Sequence, residues 1–252
     1  MSHRFESFSK LPLRVVAALA LIAVALIAAS APAKSSAASR MYECAKLEKV
    51  VSFADAHCKT EGTGFALTEL TNGIPMLVVG TNNKTASGTS AAAPTKIEGF
   101  IGETEAAVEC AQVSAEMSLT DSATFVSGVG TIEYSSCTVN KPPGQGCLVK
   151  GAKFTTTTLE LTTEGMAANL MRIKPLSGTT IATVPISGCS TPALNASFPI
   201  SGSMTVTSTG ATLSTTHSGT TEQKSLKFAG KGAGIEGALT LSTEEGATIS
   251  FK

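Results

Sequence analysis

Residues 198–206 read F-P-I-S-G-S-M-T-V. Apolar or small residues alternate with polar ones through this stretch, and the alternation returns at 235–241 and at 247–251. A period of two places successive side chains on opposite faces of a β-strand. The stretch therefore predicts strands with one apolar and one hydroxyl-bearing face, and with them an all-β fold.

Glycines interrupt these alternating runs at intervals that are typical of hairpin turns. Thr and Ser occupy the second face, where β-branched Thr suits a half-exposed pleated surface. We therefore predict an antiparallel β-sandwich or barrel, and the sequence leaves the choice between the two open. Upstream candidate strands are Met41–Val51, Phe65–Leu70, Pro75–Gly80, Lys96–Ile101, Val129–Cys137, Cys147–Lys150, Phe154–Leu161, Ala168–Lys174 and Thr179–Ile186.

One segment, Glu103–Met117, has two interpretations. Its Ala and Glu content favours a helix. Val108 and Cys110 alternate in one phase, and Val113 begins a second phase one residue out of step, as a strand with a bulge would do. We predict a strand with a bulge between Cys110 and Val113.

The first 33 residues have the pattern of a secretory signal peptide. Basic residues precede an uncharged apolar run at 15–29, and the small-residue sequence A-P-A at 31–33 marks a cleavage site. The apolar run is shorter than the roughly 20 residues that a spanning helix needs. We expect residues 34–40 to form a linker and 41–252 a single β domain, in which 81–95 is a surface loop or a sub-boundary.

The charge balance disfavours two classes of partner. The chain has 19 Lys and Arg residues and 19 Asp and Glu residues, so its formal net charge is zero. Only 15% of its residues are charged. Nucleic acid is bound through dense basic surfaces, which this composition does not provide. No second long apolar run follows the signal segment, so we expect no membrane-spanning segment after cleavage. We predict a secreted, extracellular or cell-envelope-associated protein.

All six cysteines follow the signal segment, and an even number in an exported chain predicts three disulfides. None of them forms a C-x-x-C pair, which argues against zinc ribbons and thioredoxin-like sites. Six cysteines allow 15 pairings. Because loop closure favours near neighbours, we predict Cys44–Cys58 and Cys137–Cys147, with Cys110–Cys189 by elimination.

The string G-T-S-A-A-A-P at 88–94 resembles the serine motif of subtilisin-like proteases. A nucleophilic Ser90 would need a His base and an orienting Asp. The family order Asp, His, Ser could only be met by Asp55, His57 and Ser90, and the first two are separated by a single residue. We interpret the string as a chance match in a polar loop and predict that the protein is not an enzyme.

Two further clusters are weighed as chemical sites. Asp55, His57 and Cys58 could be a metal or acid–base group, although a metal site needs at least three converging ligands. Glu103, Glu105 and Glu109 could supply paired carboxylates for glycoside chemistry. We interpret the first cluster as a turn beside a disulfide and the second as solvated strand ends, and we expect no cofactor and no metal.

The segment 137–147 reads C-T-V-N-K-P-P-G-Q-G-C. Its Pro-Gly pair suits a type II turn, and Lys141 and Gln145 could form an exposed recognition loop. Two N-x-S/T sequons, at Asn83 and Asn195, matter only in a glycosylating host.

The chain combines four short motifs: S-F-A-D-A-H-C at 52–58, Y-S-S-C-T-V at 134–139, T-T-T-T-L-E-L at 155–161 and I-S-G-C at 186–189. In this combination the chain resembles uncharacterised secreted Thr/Gly-rich β proteins of high-GC Gram-positive bacteria. The resemblance implies export and an all-β fold, and it assigns no site residue.

These observations lead to one expected function and one alternative. We expect a secreted or cell-surface β protein that acts without catalysis, as a structural or interaction module of the cell envelope. The alternative is an extracytoplasmic carrier that holds an apolar small molecule inside a β-barrel or half-barrel. An apolar cavity of several hundred cubic ångströms would favour the carrier.

Overall fold

A computed structural model describes residues 40–55, 58, 60–70, 76–81, 94–122, 124–163, 165–166, 169–209, 212–215, 225–243, 247 and 249–251. The predicted signal peptide, residues 34–39 of the predicted linker and residues 82–93 of the segment predicted as a loop or sub-boundary lie outside these residues.

The described chain is built from β-strands, which confirms the predicted all-β class. Its helical content is limited to two short 3₁₀ turns, Lys150–Ala152 and Pro192–Leu194. In chain order the strands are β1 Met41–Phe53, β2 Glu61–Glu69, β3 Met76–Thr81, β4 Thr95–Ile101, β5 Thr104–Ser122, β6 Phe125–Lys141, β7 Leu148–Val149, β8 Lys153–Thr155, β9 Leu159–Thr162, β10 Leu170–Pro175, β11 Thr180–Ser187, β12 Ser197–Ser201, β13 Met204–Thr209, β14 Thr212–Thr215, β15 Lys227–Phe228, β16 Lys231–Gly232, β17 Gly234–Thr243 and β18 Ile249–Phe251.

Eight of these strands close into an antiparallel barrel, so of the two predicted architectures the structure has the barrel. Going round it, β5 pairs with β6, β6 with β9, β9 with β10, β10 with β13, β13 with β14, β14 with β17, β17 with β3, and β3 with β5. Each barrel strand therefore has a partner on both sides, and closure of this kind removes free sheet edges.

Three long strands continue beyond the barrel. The first half of β5 and the start of β17 both pair with β4, and the end of β6 pairs with β7. From β7 the sheet continues through β11, β12, β15 and β16. We call this second set of strands the extension. It shares one core cluster with the barrel, in which Leu119 and Leu241 of the barrel and Phe228 of the extension are almost completely buried.

The stretch 198–206 marks the passage from the extension to the barrel. The structure divides it into β12 and β13, which pair with different neighbours. The break falls at Gly202, whose φ of 103° lies in the region that favours glycine. A Cβ there would also collide with the backbone of Ser225. The alternation was therefore correct on both sides of the glycine, but it does not describe one continuous strand.

Apart from Glu103, which lies in the β4–β5 turn, the segment Glu103–Met117 belongs to β5, so the strand prediction was right and the helix alternative was wrong. The predicted position of the bulge was also wrong, because the register shift with β6 lies between Ala107 and Val108. From Val108 to Ser122 the register is constant. The change of buried phase after Cys110 coincides with Ser136 on the paired strand, whose φ is 53°.

Three disulfides are present, and one of the predicted pairings is confirmed. Cys44 is bonded to Cys58, with the Cα atoms 5.7 Å apart. The predicted bonds Cys137–Cys147 and Cys110–Cys189 were wrong, because the bonds observed are Cys110–Cys137 and Cys147–Cys189. Cys110 and Cys137 lie directly opposite each other on β5 and β6, and this cross-strand neighbour outweighs proximity along the chain.

A separate three-stranded sheet, in the order β18-β1-β2, lies against one end of the barrel. Met41, Ile249 and Phe251 of this sheet are buried in the common core. The Met41 N–H donates a hydrogen bond of 2.9 Å to Oδ2 of Asp121, near the β5–β6 turn. Arg40 Nε donates to the same oxygen at 3.3 Å, and Arg40 also forms an ion pair with Glu69.

Candidate functional site

The residues considered for catalysis are only partly described. Ser90 and His57 lie outside the described residues, so the prediction that they do not form a catalytic set stays a prediction. Asp55 closes a turn, because its Oδ2 accepts a hydrogen bond of 2.7 Å from the Thr60 N–H. Cys58, in the same turn, is bonded to Cys44. Within the part of the chain that the structure describes, no group of three or more His, Cys, Asp or Glu is placed to hold a metal ion.

The glutamates considered for glycoside chemistry lie in and after the β4–β5 turn. Glu105 accepts a hydrogen bond of 2.6 Å from Lys141 Nζ. Lys141 also lies 3.7 Å from Glu98, which pairs with Lys96 at 2.5 Å. The hydrogen bond to Glu105 raises the pKa of Lys141, and the hydrogen bond to Glu98 raises the pKa of Lys96. Glu105 therefore belongs to a chain of surface ion pairs that spans β4, β5 and β6.

Both ends of the predicted recognition loop are bonded to neighbouring segments of the chain. The ammonium group of Lys141 is engaged by Glu105 and Glu98, and the Lys141–Pro142 peptide bond is cis. Oε1 of Gln145 accepts hydrogen bonds from the hydroxyls of Ser190, at 2.5 Å, and Thr191, at 2.8 Å. These contacts and the Cys147–Cys189 bond join the loop to residues 188–196. Its recognition role stays a prediction, with the Lys141 charge and the Gln145 carbonyl already occupied inside the molecule.

Asn195, one of the two sequon asparagines, has a structural role in the same region. Its Oδ1 accepts the Cys189 N–H at 2.8 Å, and its Nδ2 donates to the Cys189 carbonyl at 2.8 Å. A glycan on Nδ2 would compete with this second bond. The other sequon residue, Asn83, lies outside the described residues.

The barrel interior contains an apolar cavity of about 50 Å³. Its lining includes Met117, Tyr134, Ile173, Met204, Leu213 and Leu239. Small-molecule sites usually measure roughly 300–1,000 Å³, so this cavity is too small for a ligand of ordinary size. Burial removes the Tyr134 hydroxyl from solvent and raises its pKa to about 12. Stacking against Phe154, with ring centroids 4.8 Å apart, holds the Tyr134 ring in place.

A larger depression of about 480 Å³ lies on the outer barrel wall. Its lining combines Gly80 and Ala115 with polar residues from β5, β6 and β8, which are Ser114, Glu116, Thr131, Glu133 and Thr155. One of its two carboxylates, Glu133, has Lys153 at 3.8 Å. The depression does not match the apolar chamber expected of a carrier.

The hairpin formed by β1 and β2 has a different character from the barrel. Among the described strands, β2 pairs only with β1, so the opposite side of β2 is a sheet edge. None of the nine residues of β2 is fully buried. The sequence of the strand, E-G-T-G-F-A-L-T-E, contains neither Lys nor Pro, which proteins commonly place on edge strands to block further pairing.

The register shows which backbone groups point to this edge. The Leu70 N–H donates to the Met41 carbonyl at 2.9 Å, which makes Met41 and Leu70 a hydrogen-bonded pair. Such pairs alternate along an antiparallel ladder. Ala66 and Thr68 therefore point their backbone groups toward β1. By the same alternation the N–H and C=O groups of Phe65, Leu67 and Glu69 point away from β1, to the edge.

The sequence identified this surface only in part. The predicted strand Phe65–Leu70 corresponds to the regular part of β2, whereas residues 61–64 of this strand lie outside the predicted ones. No local signal identifies an edge strand, since edge status depends on which other strands come to lie beside it.

Comparison with known proteins adds no assignment for these surfaces. No family model, no curated protein and no solved structure matches the chain. In the described part of the chain, no helix is both long enough and apolar enough to cross a membrane.

Proposed function

We propose that this chain is an exported, non-catalytic interaction protein, in which the barrel and extension hold the β1–β2 hairpin out toward a partner outside the cytoplasm. The observation that carries the proposal is the side of β2 on which no described strand pairs, in a chain whose eight barrel strands are each paired on both sides. A free edge of this kind is a ready template for pairing with another chain.

Support for export comes from the three disulfides, which persist in oxidising compartments. The signal-like sequence at residues 1–33 supports the same compartment. We expect the exported chain to begin at Lys34, which the intact mass of the secreted protein would test. A secreted mass that includes residues 1–33 would contradict this expectation.

The interaction role is tested by photo-crosslinking in the cells that make the protein. A photoreactive p-benzoylphenylalanine is placed at Thr63, an exposed residue of β2, and in a matched variant at Thr183, an exposed residue of β11 on the extension. We expect discrete adducts of higher mass from position 63 and none from position 183. Absence of adducts from position 63, or the same adducts from both positions, would overturn the proposal.

The carrier remains the alternative function, and the interior of the barrel argues against it. A cavity of about 50 Å³ would have to enlarge several-fold before it held a lipid-like molecule. Native mass spectrometry of the secreted protein separates the two functions. We expect the mass of the polypeptide alone, whereas a co-purified apolar molecule bound in stoichiometric amount would favour the carrier.

A further inference from the structure

We propose that the three-stranded sheet is a lid on one end of the barrel, and that it opens as a unit while the barrel stays closed. The lid consists of β18, β1 and β2. Beneath it lies a ring of buried polar side chains, which we call the collar. The inference concerns the joint between lid and barrel, and it does not depend on the partner proposed for the hairpin.

No strand ladder joins the lid to the barrel. Among the strands that the structure describes, β18, β1 and β2 pair with one another and with no barrel strand. The joint is made by packing of β18 against β13 and β17, with Met41, Ile249 and Phe251 in the common core. Arg40 and Met41 add their hydrogen bonds to Asp121. The lid can therefore separate from the barrel without breaking a ladder of backbone hydrogen bonds.

Four barrel strands carry a polar side chain where they end at the lid. β5, β9, β13 and β17 run in the same direction, because each of them alternates with antiparallel neighbours around the barrel. Along each strand, steps of two residues lead from two buried apolar side chains to one buried polar side chain. The collar is formed by these four polar residues, Asp121, Thr163, Ser208 and Thr243.

Two collar side chains are buried with hydrogen-bonding capacity unused. Ser208 is 4% exposed and Asp121 is 2% exposed. Oγ of Ser208 and Oδ1 of Asp121 have no hydrogen-bond partner among the described residues. An unpaired buried polar atom raises the free energy of the closed state, and contact with water removes that cost. Opening of the lid would hydrate both atoms, so the collar favours opening at this joint.

Thr163 provides a contrast within the collar. Its Oγ1 accepts a hydrogen bond of 2.8 Å from the Val126 N–H, so its hydroxyl is used inside the barrel end. The barrel strands below the collar are paired on both sides, and Leu119 and Met171 have no exposed surface there. Proteins open locally where packing and hydrogen bonding are weakest. We therefore expect the joint to open more often than the barrel unfolds.

Thiol labelling tests whether the collar becomes accessible while the barrel is folded. All six cysteines of the chain are in disulfides, so an introduced cysteine supplies the reactive thiol. Ser208→Cys changes one atom in the collar. The matched control is Ala115→Cys, at a buried position in the middle of β5 on the same inward face.

The oxidised variants are treated with Ellman's reagent, and each rate is divided by the rate of the same variant unfolded in urea. We expect Ser208→Cys to react roughly tenfold faster than Ala115→Cys, because the collar thiol is reached by local opening. Equal relative rates would show that the collar is reached only when the barrel unfolds, and would overturn the inference. Peptide mapping confirms that the three native disulfides are intact in both variants.

Replacement of the unpartnered hydroxyl tests the driving force. Ser208→Ala should favour the closed lid and slow hydrogen exchange at the Met41 amide by roughly tenfold, because it removes a buried group that has no partner. The control Thr163→Val removes a hydroxyl that is in use and should not slow exchange at Met41. Faster or unchanged exchange at Met41 in Ser208→Ala would contradict the role of the collar.

The same exchange measurement tests whether the lid moves as a unit. In the unaltered protein the Met41 amide should exchange faster than the amides of Ala66 and Thr68, which are bonded within the hairpin. If all three amides exchange at one rate, the lid unfolds instead of opening, and the inference fails. Asp121→Ala combined with Ser208→Cys should label faster than Ser208→Cys alone, because it removes the polar contact that holds Met41. An unchanged rate would contradict that role of Asp121.

Discussion

The barrel and the β1–β2 hairpin differ in how the edges of their strands are paired. The barrel strands pair in a circle and surround a core in which Leu119 and Leu241 have no exposed surface. The hairpin is held by one disulfide and by contacts at Arg40 and Met41, and it leaves one side of β2 without a strand among the described residues. On this difference rests our proposal that the barrel supplies stability and the hairpin supplies contact with a partner.

The largest expected effect comes from removing a buried barrel side chain. Leu119→Ala should lower the free energy of unfolding by about 3–5 kcal/mol, because it loses buried apolar surface and leaves a cavity. The matched hairpin variant Leu67→Ala should cost about 1 kcal/mol, since that side chain is only partly buried. Urea denaturation followed by circular dichroism measures both. Equal losses would mean that the hairpin is as much a part of the core as the barrel.

Disulfide removal should act locally in the hairpin and globally in the barrel. The Cys44–Cys58 bond spans 14 residues, and a loop of that size is worth about 3 kcal/mol. In the double variant Cys44→Ala/Cys58→Ala we expect the hairpin amides to exchange roughly a hundredfold faster, with barrel amides unchanged. The control Cys110→Ala/Cys137→Ala removes a bond between β5 and β6 where both continue beyond the barrel. Because both strands run on into the barrel, it should also accelerate exchange there. If the hairpin variant accelerates exchange at the barrel amides to the same extent, the proposed difference between hairpin and barrel is wrong.

High pH should destabilise the molecule through the barrel interior. The folded-state pKa of Tyr134 is about 12 against an unfolded value of 10.0, so the unfolded state releases its proton first. The contribution of Tyr134 to the free energy of unfolding is fully present below pH 10. It is lost as the pH rises from 10 toward 12, so that the free energy of unfolding falls by about 2–3 kcal/mol. Tyr134→Phe should lack this decrease. Parallel stability curves for the two proteins over that pH range would show that the interior is hydrated.

The contact between the three-stranded sheet and the barrel should have the smallest effect on stability. Asp121 is buried, and its Oδ2 accepts the Met41 N–H. Asp121→Ala leaves that donor without its partner, at a cost of about 1–3 kcal/mol. We expect faster exchange at the β1 amides while the amides of β9 and β10 keep their rates. A change spread evenly over the barrel would contradict a local contact.

The sequence predicted those features that depend on a residue and its near neighbours. Alternation at 235–241 correctly placed Ile235, Leu239 and Leu241 on the buried face. The choice between sandwich and barrel could not be predicted, because closure depends on β3 pairing with β5 and β17, strands far apart in the chain. Disulfide pairing failed for the same reason, since Cys110 meets Cys137 across a ladder.

The candidate functional surfaces were also predicted only where they depend on a residue and its near neighbours. The strand Phe65–Leu70 was predicted from its composition, but its position at an edge is a property of the assembled sheet. Lys141 and Gln145 were chosen because a Pro-Gly turn between cysteines looks exposed. Glu105, Ser190 and Thr191, to which they are bonded, belong to segments that no sequence pattern places beside this loop.

Hydrogen exchange in the free, oxidised protein tests most directly the central contrast between the closed barrel and the β2 edge, which has no partner among the described strands. Along the regular part of β2 we predict fast exchange at Phe65, Leu67 and Glu69, slow exchange at Ala66 and Thr68, and slow exchange at the paired amides of the barrel strands β9 and β10. Equal, strong protection of all five β2 amides would show that the edge is already covered, and would contradict the account.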